Sequence, residues 1–399
     1  LHPKTRTYRT MASPILINPD LTNAGYLPTG ATLTGSLTSL FDGKTLNVDD
    51  TDLWQTVGTG TSNFTANRLD LSVAAGEYLI CQSRRRMPYF SGKTQVMEYT
   101  TQNFESVPGV VKRIGYFSSN NEAPYASNLD GVWYEDDGTT KYIKAANNGV
   151  ETISIPLEYW ENAWRDYDFS KFTVLQQYLL WLGGAALINF GAQDYRGFLF
   201  QAAGQHVGVN SGYICASPNQ PVRYEIRSTT GEGTLSRCCS QVANAGSISE
   251  AGKALGIYNA TAVSCDSIGT VYALKGIRKR ADRRDVSVKI ENVSITSNST
   301  SDAGIMLLLR NPTLSAPLTY ANNNNIQEAS GTGQTVSALG RVIRAVPCEQ
   351  TAEKLDLKTD YLTWLSGGID DTMDEFVLAF APTTTHQSRV GALNVTEYI

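Results

Sequence analysis

The segment Pro221–Gly233, PVRYEIRSTTGEG, constrains the fold of this chain more than any other. Val222, Tyr224 and Ile226 alternate with Arg223, Glu225 and Arg227. In an extended strand successive side chains point to opposite sides. A period of two therefore gives one apolar face for a core and one charged face for solvent. A helix would scatter the same residues around its circumference.

The period recurs along the chain. DGVWYEDDGTTKYIK reads as a hairpin, with Val132 to Glu135 going out, Asp136-Asp137-Gly138 turning, and Thr140 to Lys144 returning. Phe172 to Gly191 reads as two buried strands joined at Gly183-Gly184, and Phe198 to Phe200 begins another. Val286, Val288 and Ile290 share a face, and GIMLLLRNP and EFVLAFAP follow as strands. One helix signal stands against this pattern. SISEAGKALGIYN, from Ser247, has a serine followed by Glu250 at capping-box spacing.

The expected fold is all-β, with β-sandwich or jelly-roll domains in tandem and an extended N-terminal arm. The division is residues 1–40 for the arm, which sustains no period, 41–250 for one sandwich, and 251–399 for a second.

Charge and cysteine usage exclude several function classes. The net charge is −5 and the pI about 5.4, against a dedicated nucleic-acid binder. The longest apolar run, Phe172 to Gly191, contains Gln176, Gln177, Asn189 and a Gly-Gly pair, too many interruptions for a membrane span. The opening LHPKTRTYRTM has no apolar core of a secretory signal, so the six cysteines read as reduced, mostly buried thiols. By the same token, the five Asn-x-Ser/Thr sequons read as accidents of composition.

No nucleophile elbow, zinc-binding HExxH, Walker A or dinucleotide fingerprint occurs. His2, His206 and His386 lie far apart, without metal-ligand spacing. The acidic clusters Asp49 to Asp52, Glu135 to Gly138 and Asp370 to Glu375 could hold Ca²⁺ or form a glycosidase pair, but acids beside Gly and Thr are ordinarily turn formers. The expectation is a protein with no catalytic residues, no metal and no cofactor.

Two basic clusters remain. SRRRMPYFSGK contains Arg84, Arg85 and Arg86, and GIRKRADRRD contains Arg278, Lys279, Arg280, Arg283 and Arg284. These eight residues are the candidates for contact with a partner or subunit. Aromatics do not interleave with the second cluster, which argues against base stacking. The 20 tyrosines and six tryptophans suit cross-strand packing, or an aromatic face that stacks on sugar rings.

In order, CQSRRRMPYFSGK, VKRIGYFSSN, the acidic Asp-Gly hairpin, LLWLGGAALINF, SPNQPVRYEIRS and YALKGIRKRADRRDVSVKIENVSI resemble a family of virion structural proteins of tailed, especially marine, phages. The resemblance runs from about residue 78 to about 313. It implies a non-enzymatic component of a phage virion, assembled in the host cytoplasm and displayed as a capsid decoration or fibre-like protein. Its partners would be other virion proteins, with neither nucleic acid nor membrane among them, and a homotrimer is expected. The alternative is a tail-fibre module that recognises host surface glycans. The resemblance carries over no catalytic residues. In this setting SRRRMPYFSGK is expected at a sandwich corner. Arg84 and Arg86 would point one way and Arg85 the other, each fork facing a carboxylate of a neighbouring strand or subunit.

Overall fold

The computed structural model describes residues 25–26, 32–33, 37–45, 50–65, 67–119, 128–160, 166–181, 186–193, 199–207, 213–246, 252–297, 303–348, 352–357, 361–369, 372–385 and 387–398. Among them there are strands and short 3-10 turns but no α-helix, so the protein is all-β.

Four large sheets carry the fold. One has the seven-strand order Val150–Pro156, Lys141–Asn147, Leu129–Asp136, Val110–Ser119, Val222–Ser228, Tyr78–Ser83, Trp54–Gly58. A second runs Leu199–Val207, Ala186–Gln193, Thr173–Trp181, Gln95–Gln102, Gly233–Ala245, Arg68–Val73, Thr61–Thr65, with Leu37–Lys44 also pairing Gly233–Ala245. Their inner faces share one core that includes Ile114, Tyr116, Tyr134 and Tyr224 from the first and Leu71, Met97, Tyr99 and Leu175 from the second. Tyr224 hydroxyl and Ser240 Oγ lie 2.9 Å apart across the layers, and Tyr134 hydroxyl donates to Gln176 O at 2.6 Å. This is face-to-face sandwich packing.

The other two sheets use later strands. One orders Lys253–Tyr258, Gln387–Tyr398, Ser287–Ser297, Ala352–Asp356. The other orders Ala321–Asn323, Ile326–Ser330, Tyr272–Lys279, Glu375–Pro382, Gly304–Arg310, Arg341–Cys348. A second core lies between them, with Val288, Ile290, Val293 and Val395 on one side and Ile277, Leu308, Leu378 and Phe380 on the other. The apolar positions of Ser287–Ser297 change phase after Ile290, and a register shift between Ile290 and Asn292 puts Val293 and Ile295 back into the core.

The hairpin Leu129–Asp136/Lys141–Asn147 forms as its sequence predicts, with register Asp136↔Lys141. Asp137 Oδ1 accepts from the N–H groups of Thr139 and Thr140, and Gly138 takes φ 90°, so Asp137 and Gly138 are turn chemistry, while Asp136 pairs with Lys141 at 2.7 Å. Thr173–Trp181 and Ala186–Gln193 pair antiparallel, again as expected, while the Gly183-Gly184 joint lies outside the described residues.

Three expectations are corrected. The charged face of PVRYEIR is not turned to water: Arg223 and Glu225 are each 1 % exposed. They belong to a charge network in which Arg113 holds Glu135 at 2.6 Å and Glu225 at 2.7 Å, Arg223 holds Glu225 at 2.6 Å, and Lys144 reaches Glu135 at 3.0 Å. Periodicity reads faces, and a buried face can be charged when each charge has a partner. The helix signal fails over its second half. Lys253–Tyr258 is a strand paired with Gln387–Tyr398, because this edge position gives its backbone a ladder to join and gives Ile257 a core. Ser247 to Ala251, with the cap itself, lie outside the described residues. Finally, the last four residues assigned to the arm are strand. Leu37–Lys44 starts within it, and Leu40 is 2 % exposed.

Candidate functional site

The two basic clusters, nearly two hundred residues apart in sequence, meet where the sandwiches join. Arg84 to Arg86 leave the end of strand Tyr78–Ser83 in the first sandwich. Lys279 ends strand Tyr272–Lys279, and Arg280 to Arg284 carry the chain through a 3-10 turn to strand Ser287–Ser297, crossing between the sheets of the second sandwich.

The seam is stitched by backbone and side chains. Gly367 N–H donates to Arg84 O at 3.1 Å, Ser287 Oγ to Arg86 O at 3.0 Å, and Asn219 Nδ2 to Asp285 O at 2.7 Å. Ile369 N–H donates to Gln55 Oε1 at 2.6 Å. Asp52 of the first sandwich pairs with Arg341 of the second at 2.9 Å. Asp374 is a buried hub. It accepts from Arg310 Nη2 at 2.7 Å and Asn311 Nδ2 at 2.7 Å and sits 3.5 Å from Arg84 Nη1. Burial pushes its carboxyl upward, but Arg310, Ser366 and Asn311 outweigh that and hold it below its ordinary range. Of the remaining acidic clusters, Asp49, Asp370 and Asp371 lie outside the described residues, and the described members make structural contacts. Asp50 accepts from the N–H groups of Asp52 and Leu53, and Glu375 accepts from the Tyr320 hydroxyl at 2.5 Å.

The three arginines divide as alternation predicts, but their partners differ from the expected carboxylate forks. Arg84 meets the Asp374 carboxylate. Arg85, on the opposite side, lies over the Trp364 ring. Arg86 donates through Nη1 to Asn219 O at 3.3 Å and Gln220 Oε1 at 3.0 Å, both neutral.

Arg84, Arg86, Lys279 and Arg284 line one cavity of about 30 Å³, together with Arg223, whose strand position had suggested a solvent face. Leu365, Ile369 and Met373 form its apolar wall. Lys279 Nζ donates to Arg284 O at 2.5 Å. The other candidates lie elsewhere: Arg278 stacks over Tyr320 at 4.2 Å, Arg280 pairs with Asp282 at 2.5 Å, and Arg283 is exposed on the 3-10 turn. Sequence reasoning missed the parts that Arg223 and Trp364 play here, and it had Asp374 only as a member of the acidic cluster Asp370 to Glu375, not as a partner of arginines; no local pattern marks Trp364.

A second surface feature lies on the first sandwich. Tyr213, 52 % exposed, stacks on Trp181 with centroids 6.0 Å apart and planes at 23°, and Tyr89 meets Trp181 edge-on at 6.1 Å. Among the described residues no group of three or more His, Cys, Asp or Glu is placed to hold a metal ion.

No protein-family model and no curated protein matches this chain. Among solved structures, the Emp47p carbohydrate recognition domain aligns at 12 % identity and TM-score 0.35, over 53 % of this chain and 97 % of that one. A legume lectin-like domain from Entamoeba histolytica aligns at 10 % and 0.34, over 52 % and 98 %. The VIP36 exoplasmic/lumenal domain aligns at 9 % and 0.35, over 54 % and 91 %. At such identities and TM-scores the likeness carries no argument about function.

Proposed function

We propose that this chain is a non-enzymatic structural component of a virus particle, displayed on its surface as a decoration or fibre-like protein. The seam is the observation that supports this reading best. The pairs Arg84–Asp374 and Asp52–Arg341, with the backbone hydrogen bonds beside them, fix one sandwich against the other, which suits a part that must hold its shape under load. The acidic clusters that sequence offered as catalytic or Ca²⁺ candidates serve turns and ion pairs wherever they are described. The ordered motifs resembling tailed-phage virion proteins agree with this. In this reading the arm ahead of Leu37 docks on a neighbouring subunit or shell, the assembly is a homotrimer, and the virion is where the protein resides.

Purified particles of the encoding virus provide the test. The chain should copurify in fixed stoichiometry, and particle imaging should place it outside the shell or on an appendage. Its absence from washed particles would overturn the proposal, and a monomer by light scattering would remove the trimer.

The alternative, recognition of a host glycan, is favoured by the exposed Tyr213 face on Trp181, a flat aromatic surface of the kind that stacks on sugar rings. Glycan binding abolished by Tyr213→Ala would support it, and an array with no bound glycan would remove it.

A further inference from the structure

We propose that the cavity at the seam binds a small tetrahedral oxyanion, of the phosphate or sulfate class, between the two sandwiches. Five cationic side chains line it, and they are not equally neutralised. Arg223 has the Glu225 carboxylate at 2.6 Å and Arg84 has Asp374 at 3.5 Å. Arg86 and Lys279 have no ion pair among the described residues, and their acceptors are backbone carbonyls and an amide.

Burying Lys279 and half-burying Arg86 beside it without a carboxylate in contact is costly. Both feel that cost. Burial, with Arg284 adding to it, draws the Arg86 guanidinium down to about 10. Burial, then Arg86 and Arg284, drives the Lys279 ammonium well below its ordinary value. Asp285 opposes this at both groups and Asp130 at Arg86, without outweighing burial, and neither carboxylate forms an ion pair with them. The Asp130 carboxylate is already held by the Ala216 and Ser217 N–H groups and by Gln220 Nε2.

Donors remain for a guest. Arg86 uses Nη1 alone, and its Nε and Nη2 donate to no acceptor among the described residues. Lys279 uses one of its three N–H bonds. A guanidinium fork and an ammonium within one cavity suit a tetrahedral dianion, which accepts from both at once. About 30 Å³ is room for roughly two or three waters. A whole nucleotide, peptide or sugar ring is too large to be taken up inside it. The chain as a whole is acidic, so an effect of phosphate must come from a local site.

The full-length chain is titrated with inorganic phosphate at constant ionic strength, by calorimetry and by thermal unfolding. Saturable binding is expected, with a Tm that climbs with the logarithm of phosphate concentration. Sulfate should substitute, whereas chloride and acetate should not. Lys279→Met and Arg86→Gln should each weaken phosphate binding at least tenfold. Lys279→Met removes an enclosed charge, so without phosphate it should be no less stable than the parent, and its loss of binding is then separable from unfolding. Exposed Lys44→Gln should keep full affinity. No binding heat with a Tm identical in phosphate and chloride would overturn the site. So would undiminished affinity in Lys279→Met, while acetate equal to phosphate would overturn the choice of a tetrahedral dianion.

Discussion

The guanidinium of Arg85 lies 4.0 Å from the ring centroid of Trp364, joining the end of a strand in one sandwich to a short strand of the other. Trp364 leans on Tyr398 at 5.4 Å, and Tyr398 meets Phe90 edge-on at 5.7 Å, so the contact continues into the first core. A desolvated cation over an indole contributes about 1–2 kcal/mol, and a lysine does not reproduce the flat stacking. Arg85→Lys should therefore cost about 1 kcal/mol. Trp364→Ala should cost about 3 kcal/mol and uncouple the sandwiches, splitting one calorimetric transition into two. A Trp364→Ala trace that overlays the parent would show that the seam does not depend on this pair.

The network of Arg113, Glu135, Arg223 and Glu225 should be intolerant of partial removal. Glu225→Gln leaves two enclosed guanidinium groups facing an amide, and should cost about 3–5 kcal/mol. A double substitution that replaces Arg223 and Glu225 with apolar residues should cost less than Glu225→Gln alone. Urea titration of the three proteins reads this, and the reverse ranking would contradict it.

Acid should expose the same network. Burial pushes the Glu135 carboxyl up, but Arg113 and Lys144 overcome it and hold the group below its ordinary 4.5. In acid the unfolded chain then binds the proton more readily than the folded one. This contribution is complete above about pH 4.5 and is lost as pH falls through the lowered folded value. Asp374 acts in the same sense from its own lowered value. Stability of Glu135→Gln, followed from neutral pH down to pH 3, should fall less steeply than that of the parent. Parallel curves would show that Glu135 is not the group lost.

Alternation made the sheets legible, because burying one face imposes a period of two whatever the partners are. It found the hairpin at Asp137 and the shared face of Val286, Val288 and Ile290. It misjudged Arg223 and Glu225, since alternation reports that a face differs, not that it meets water. The capping box at Ser247 misled for a related reason: a local signal was weighed without the strand edge that Lys253–Tyr258 completes. The seam was half legible. Arginine runs are visible in sequence, but nothing local brings Arg86 to Lys279, because only the join of two sandwiches does so. Trp364 carries no pattern at all, and Asp374 shows only as one acid of the cluster Asp370 to Glu375, which says nothing of the arginines it meets.

Gly131 should resist substitution. It has φ 125° in strand Leu129–Asp136, opposite Phe117, and a Cβ there would lie 2.4 Å from Tyr116 O and 2.7 Å from Phe117 Cα. Those neighbours are backbone of a central strand and cannot give way cheaply. Gly131→Ala should cost about 2 kcal/mol or more. Gly76→Ala, at φ 82° with open space around its Cβ, should cost only the conformational strain, about 1 kcal/mol. Equal losses for the two in chemical denaturation would rule out the close strand approach as the cause.

The boundary of the N-terminal arm can be tested by two truncations. Removing residues 1–36 stops just before strand Leu37–Lys44, whereas removing 1–40 takes half of it. The longer deletion breaks the register Ala245↔Leu37, Asn244↔Thr38 and Ala243↔Ser39 and empties the core position of Leu40. It also frees the edge of Gly233–Ala245, a strand in the middle of its sheet, along that stretch. Loss of a buried leucine costs about 2–3 kcal/mol before any ladder hydrogen bond is counted. The chain lacking 1–40 should thus be about 3 kcal/mol less stable than the chain lacking 1–36, and more prone to aggregate through the opened edge. Only the shorter deletion is a fair probe of attachment to a particle, because it alone leaves every residue of the strand in place. Equal stability of the two truncations would mean that Leu37 to Leu40 belong to the arm after all.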